Sequence, residues 1–272
     1  MVSTILAVLT EPSTSRAVLD AAAVAADHDT AIEILYVRVD PRSLILPTEE
    51  VMTKTRREEL ESMLSERSRL VQRAFHEWSV ASAELAGRAR WQEITGTVEA
   101  EVTARGKSAG LLVLARPVDG EGDDALHAAI FAVRRLFLLV PPDGAGDFGH
   151  HMAIAWKASE TAERTVLAAM PWLKRAQRIS ILMAGQGAAS PEPLLALLAQ
   201  HGVAGATVAV ETIAGMAGED DIGAALLATA RSLGADSLVT GAYRRHRFFE
   251  WVLGGVTRHV LHHSDLPAFM LH

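Results

Sequence analysis

The stretch that decides the fold begins Gly234-Ala235-Asp236-Ser237-Leu238-Val239-Thr240-Gly241. Its apolar run ends on a glycine, as a buried strand does where it meets a turn. A basic loop follows, Tyr243-Arg244-Arg245-His246-Arg247, and then Phe248-Phe249-Glu250-Trp251-Val252-Leu253. Gly254-Gly255-Val256-Thr257-Arg258 leads into a helix. Glycine and positive charge between a strand and a helix form a phosphate cradle, because backbone N–H groups and the helix dipole converge there.

Working outward, the same unit is used twice. Ile5-Leu6-Ala7-Val8-Leu9 opens one half and His151-Met152-Ala153-Ile154-Ala155-Trp156 the other. Each is followed by a serine, Ser13 or Ser159, placed to cap a helix N-terminus. Ile32 to Val37 corresponds to Ile179 to Met183, and Glu93-Ile94-Thr95-Gly96 to Thr212-Ile213-Ala214-Gly215. Ala104-Arg105 through Leu112-Val113 matches Ala230-Arg231 through Leu238-Val239. Leu136 to Val140 and Ala268 to Leu271 close the halves as apolar strands. Strands that alternate with helices and are apolar throughout predict parallel sheets covered on both faces. Pro141-Pro142-Asp143-Gly144-Ala145-Gly146-Asp147 continues neither helix nor strand. The reading is therefore a first domain over 1–142, a linker over 143–150 and a second domain over 151–272. The halves differ at Thr48 to Trp78, where Leu60, Leu64, Val71, Phe75 and Trp78 recur at helical spacing. One apolar stripe on a charged helix reads as a cover for its own core. The second half has only the shorter Pro191 to Gln200 there.

Composition agrees. The chain has 272 residues, room for two domains of about 130 each. Hydrophobic residues make up 49% of it, enough for two cores. A net charge of −7 argues against general binding to nucleic acid or anionic membranes. The absence of cysteine excludes disulfides, thiolate catalysis and cysteine metal sites. No apolar run approaches the roughly 20 residues of a membrane span, and the sequence opens directly on a strand. The expectation is a soluble, cytoplasmic protein.

The C-terminal stretch resembles the universal stress protein family, and the two-fold repeat resembles its tandem members. The family pattern is a strand Ala-Asp-x-Leu-Val-x-Gly, a loop Gly-x-x-Gly, nine residues, then Gly followed by Ser or Thr. Here Ala235 to Gly241 supply the strand, Gly241-Ala242-Tyr243-Arg244 occupy the loop, and Gly254-Gly255 stand nine residues on. The resemblance implies an α/β fold of two tandem, doubly wound, five-stranded, mainly parallel sheets of the adenine nucleotide alpha hydrolase-like type. It implies an internal pseudo-dimer of the two domains with their last strands near the contact, and it leaves room for a homodimer. It also implies ATP or another adenine nucleotide, with Mg²⁺, in the C-terminal domain, held by Gly241, Arg244, Gly254, Gly255, Val256 and Thr257.

Three positions depart from the family pattern. Arg244 replaces the second loop glycine. Gly255 fills the Ser/Thr slot, with Thr257 two residues on. Trp156-Lys157 follows the first strand of the second half, where an acidic residue is usual. In compensation Arg244, Arg245 and Arg247 crowd the loop, and arginine pairs well with phosphate. The first half departs further: Arg116-Pro117-Val118-Asp119-Gly120-Glu121-Gly122-Asp123-Asp124 lacks the glycine pattern and carries carboxylates that repel a triphosphate unless a metal intervenes. Glu11 after its first strand stands near the expected ribose position, yet alone it carries little, and that half reads as a non-binding partner domain.

Other groupings carry less. His259, His262 and His263 share a helix face, which more often means a solvated face than a metal site. Asp124-Ala125-Leu126-His127 reads as a helix start, where carboxylates suit the dipole. No Gly-x4-Gly-Lys-Ser/Thr loop occurs. The expected function is a non-catalytic stress-response protein that binds an adenine nucleotide. A ligand-free interaction protein with a degenerate site stands as the alternative, and a weak nucleotide hydrolase comes third.

Overall fold

Alternating strands and helices build both halves of the chain. The computed structural model describes residues 2–40, 54–184, 190–203, 205–213, 219–242 and 254–272. They group into two compact units, Val2–Val133 with Pro142–Gly144, and Arg134–Pro141 with Ala145–His272.

In the first unit, β1 (Thr4–Leu9), α1 (Pro12–Ala25) and β2 (Ala31–Val39) precede the long α2 (Lys54–Ala81) and the short α3 (Ala83–Ala86). Then come β3 (Ala89–Gly96), α4 (Val98–Gly106), β4 (Leu111–Ala115), α5 (Asp123–His127) and a π-helical turn over Ala128–Val133. The strands lie in the order β3-β2-β1-β4, all parallel in register. β1 and β4 are buried almost end to end, as their unbroken apolar runs require. α2 lays Leu64, Ser68, Val71 and Trp78 inward. Phe75 stacks between Trp78 and Trp91 at 6.2 and 5.3 Å, and Trp91 lies 6.2 Å from Tyr36 on β2. Burial first, and Glu93 second, push the Tyr36 hydroxyl up to about 12. The helical reading of 48–78 is met from Lys54 onward; 48–53 lie outside the described residues.

The second unit begins with β5 (Phe137–Val140), followed by β6 (His151–Ala155), α6 (Glu160–Leu173), β7 (Arg178–Ala184) and α7 (Glu192–Gln200). It ends with β8 (Thr207–Ile213), α8 (Glu219–Ser232), β9 (Ser237–Gly241), α9 (Gly255–His263) and β10 (Ala268–Leu271). The order is β5-β10-β9-β6-β7-β8, parallel except where β5 meets β10 with Leu138 opposite Phe269. The α/β class and the mainly parallel sheets are as expected. Leu136 to Val140, read from sequence as the closing strand of the first half, group with the second unit because β5 pairs with β10. The strands thus divide four and six between the units.

One expected cap moves. Ser159 caps α6 and accepts from the Ala162 N–H at 3.2 Å. Ser13 does not cap α1: the helix starts earlier, at Pro12, with Glu11 as the N-cap. Proline at the first helical position is preset for the helix and draws the start forward.

Strand order reverses beside β1 in the first unit and beside β6 in the second. The crevices outside the carboxyl ends of β1/β4 and β6/β9 are therefore where an open parallel sheet takes a ligand.

Candidate functional site

In the second unit the crevice is framed by the end of β9 and the start of α9. Gly241 is the buried last residue of β9. Ala242 continues the ladder by donating to the Leu271 carbonyl at 2.8 Å, and its own carbonyl lies 2.6 Å from His272 Nδ1. Gly254 is the N-cap of α9, extended at φ −62° and ψ 151°, and as a glycine brings no capping side chain of its own. Gly255 opens the helix and is buried, Val256 is half-buried, and Thr257 is buried. The Thr257 hydroxyl points back to the Gly241 carbonyl at 3.5 Å. It thereby ties the first turn of α9 to the end of β9. Arg244, Arg245 and Arg247 lie outside the described residues. Trp156, in the slot where a carboxylate is usual, is buried, and its indole N–H donates to the Ser190 carbonyl at 3.3 Å.

Helix N-termini differ in what faces their positive ends. α6 carries Glu160 and Glu163 in its first turn, and α5 carries Asp123 and Asp124. α1 has Glu11 at its N-cap and Pro12 in place of a donor. α9 has no acidic residue in its first turn.

The aspartate of the Ala235-Asp236 motif sits at the other end of β9. Its carboxylate accepts from the backbone N–H groups of Gly149, His150 and His151 at 2.8–2.9 Å and from the Ser237 hydroxyl at 2.9 Å. It fastens the start of β6. Beside it, His151 Nε2 lies 2.9 Å from the buried Ser180 hydroxyl. Burial first, then Arg178, hold the His151 imidazole below its usual range. This serine–histidine pair is no nucleophile, because Ser180 is fully buried at the amino ends of the strands, away from the crevice.

In the first unit the crevice holds the unit's own side chains. Arg67 of α2 pairs with Glu11 after β1 and with Glu121 of the β4–α5 loop, the latter at 2.7 Å. Its Nε donates to the Thr10 carbonyl at 3.2 Å. The loop turns through Asp119, Gly120 and Gly122, all at positive φ. Glu11 and Glu121 stand out in the sequence; Arg67 does not, because 54 residues or more separate it from its partners.

On α9, His259 and His263 stack at 4.4 Å, and Asp265 pairs with Arg231 rather than with the histidines. Among the described residues no group of three or more His, Cys, Asp or Glu is placed to hold a metal ion. Nor is any described helix long and apolar enough to cross a membrane.

The sequence of the second unit matches the universal stress protein family over residues 151–272. Residues 151–272 belong to that family. The universal stress protein domain thus spans β6 to β10 and includes the glycine-framed crevice. No curated protein matches the chain significantly in sequence. Among solved structures, a universal stress protein from Archaeoglobus fulgidus DSM 4304 superposes with a TM-score of 0.65 at 15% identity, covering 98% of this chain and 95% of that one. A candidate universal stress protein from Pseudomonas aeruginosa UCBPP-PA14 gives 0.59 at 14% identity, covering 99% and 93%. A functionally unknown protein from Pseudomonas aeruginosa PAO1 gives 0.59 at 13% identity, covering 99% and 92%. At such identities these likenesses speak for the fold, and they extend the universal stress protein fold through the first unit as well.

Proposed function

We propose that the chain is a non-catalytic, tandem universal stress protein that holds an adenine nucleotide in its C-terminal domain, at the β9–α9 crevice. One observation carries the reading. α9 begins on two glycines, and its first turn has no acidic residue. The helices that follow β1, β4 and β6 each meet carboxylates at their positive ends. The positive end of a helix whose first turn carries no carboxylate attracts phosphate. Glycine at 254 and 255 keeps side chains out of its way. Gly241, Val256 and Thr257 shape the ends of the cradle, and Arg244 is assigned to the phosphates by its place in the loop.

A ligand-free interaction protein is the second reading. Trp156 in the acidic slot and the Thr257 hydroxyl turned toward Gly241 favour it. Calorimetry separates the two. Native protein titrated with ATP and Mg²⁺ shows one binding event per chain, and Gly254→Val weakens it by about tenfold or more, or 1.4 kcal/mol. No heat from the native protein at millimolar nucleotide leaves the interaction reading. Binding that survives Gly254→Val places the nucleotide elsewhere. Steady phosphate release from the native protein, absent from a mock purification, makes it a hydrolase.

A further inference from the structure

We propose that the first unit carries a built-in closure, in which Arg67 reaches from α2 across the β1/β4 crevice and ties its two rims together. One guanidinium meets Glu11 and the Thr10 carbonyl on the β1 rim and Glu121 on the β4–α5 rim. A planar fork of five donors is the side chain suited to bridging separate acceptors. The reach is set in advance, because Leu64, Ser68 and Val71 are buried on either side of Arg67. The Ser68 hydroxyl adds a 2.8 Å bond to Glu93 on β3. Arg67 and Glu11 are 32% and 20% exposed, so this pair is screened less than a surface ion pair. The rims are close as well as tied: a Cβ on Gly122 would stand 3.2 Å from the Thr10 hydroxyl oxygen.

The consequence is a ligand position filled from within. The N-terminus of α1, which borders the crevice, faces the unit's own Glu11. The guanidinium that balances Glu11 and Glu121 belongs to the chain. The first unit is held shut against anionic ligands, whatever the second unit binds.

Hydrogen exchange on the full chain, without nucleotide, tests this. The amides of Glu121, Asp123 and Leu126 bond within the β4–α5 loop and report its opening. In Arg67→Met these amides exchange about five- to tenfold faster, while β7 and β8 are unchanged. Glu121→Gln gives a smaller increase at the same amides. Methylguanidinium, at concentrations far below denaturing, slows exchange in Arg67→Met, and methylammonium at equal ionic strength does not. Unchanged loop exchange in a folded Arg67→Met overturns the closure. If Arg67→Met does not fold, Glu121→Gln decides: native exchange at these amides overturns the closure, and faster exchange supports it. Equal slowing by both cations also overturns it, because then only ionic strength is felt.

Discussion

At Asp236 a single carboxylate gathers three backbone N–H groups and a hydroxyl. The motif that contains it marks the fold, and the residue itself fastens β6 to the turn before β9. Hydrogen bonds to a charged group contribute about 1.5–3 kcal/mol each, but these share one acceptor. Asp236→Ala is expected to lower the unfolding free energy by about 2–3 kcal/mol in urea denaturation. Asp236→Asn should lose less, since one oxygen still accepts. The neighbouring histidines give a second prediction, with opposite signs. Asp147, 2.9 Å from His150 Nε2, raises the His150 pKa above 6.5, and burial lowers that of His151 below it. Imidazole NMR titrations should therefore show midpoints on either side of 6.5. The His150 pair adds stability below pH 6.5 that fades as pH rises through its folded value. The buried His151 works the other way: its contribution is present above 6.5 and is lost as pH falls toward its folded value. His151→Gln should remove the acid-side loss.

Between elements, the contact of α8 with α9 turns on Gly223. A Cβ there would stand 2.6 Å from the His259 Cβ and 2.9 Å from its Cγ. On an open helix Gly→Ala gains up to about 1 kcal/mol of propensity. Here α8 and α9 must separate, and overpacking costs about 1–3 kcal/mol. Gly223→Ala is expected to lower the melting temperature, measured by calorimetry, and a rise would mean that the helices move apart freely. Most elements were legible in the sequence. Unbroken apolar runs such as Leu111 to Ala115 announce buried parallel strands, and the spacing of Leu64, Val71 and Trp78 announces α2. The start of α1 turns on one local competition, Pro12 against Ser13, which proline wins. Nothing local marks Gly223 as a contact, because its partner lies 36 residues on, in another helix. Arg67 escaped for the same reason. The glycines of the candidate site were legible because backbone geometry, not a distant partner, selects them.

For the molecule as a whole, the sequence repeat suggests a cut in the Pro141–Asp147 turn, and β5 argues against it. Phe137–Val140 pairs with β10 inside the second unit. A protein starting at Arg134 keeps β5 on β10 and should fold cooperatively. One starting at Ala145 leaves the β10 edge bare, and bare apolar edges recruit other strands. Urea denaturation followed by circular dichroism distinguishes them: the longer form unfolds in one cooperative transition, and the shorter unfolds at lower urea or precipitates. The edge preference of one four-residue strand is settled by long-range pairing, which no repeat in the sequence displays. The same pairing makes the protein a natural split system. Proteolysis between Asp143 and Asp147 would sever the chain yet leave β5 seated beside β10, so the nicked halves should travel together under native conditions and part only on denaturation.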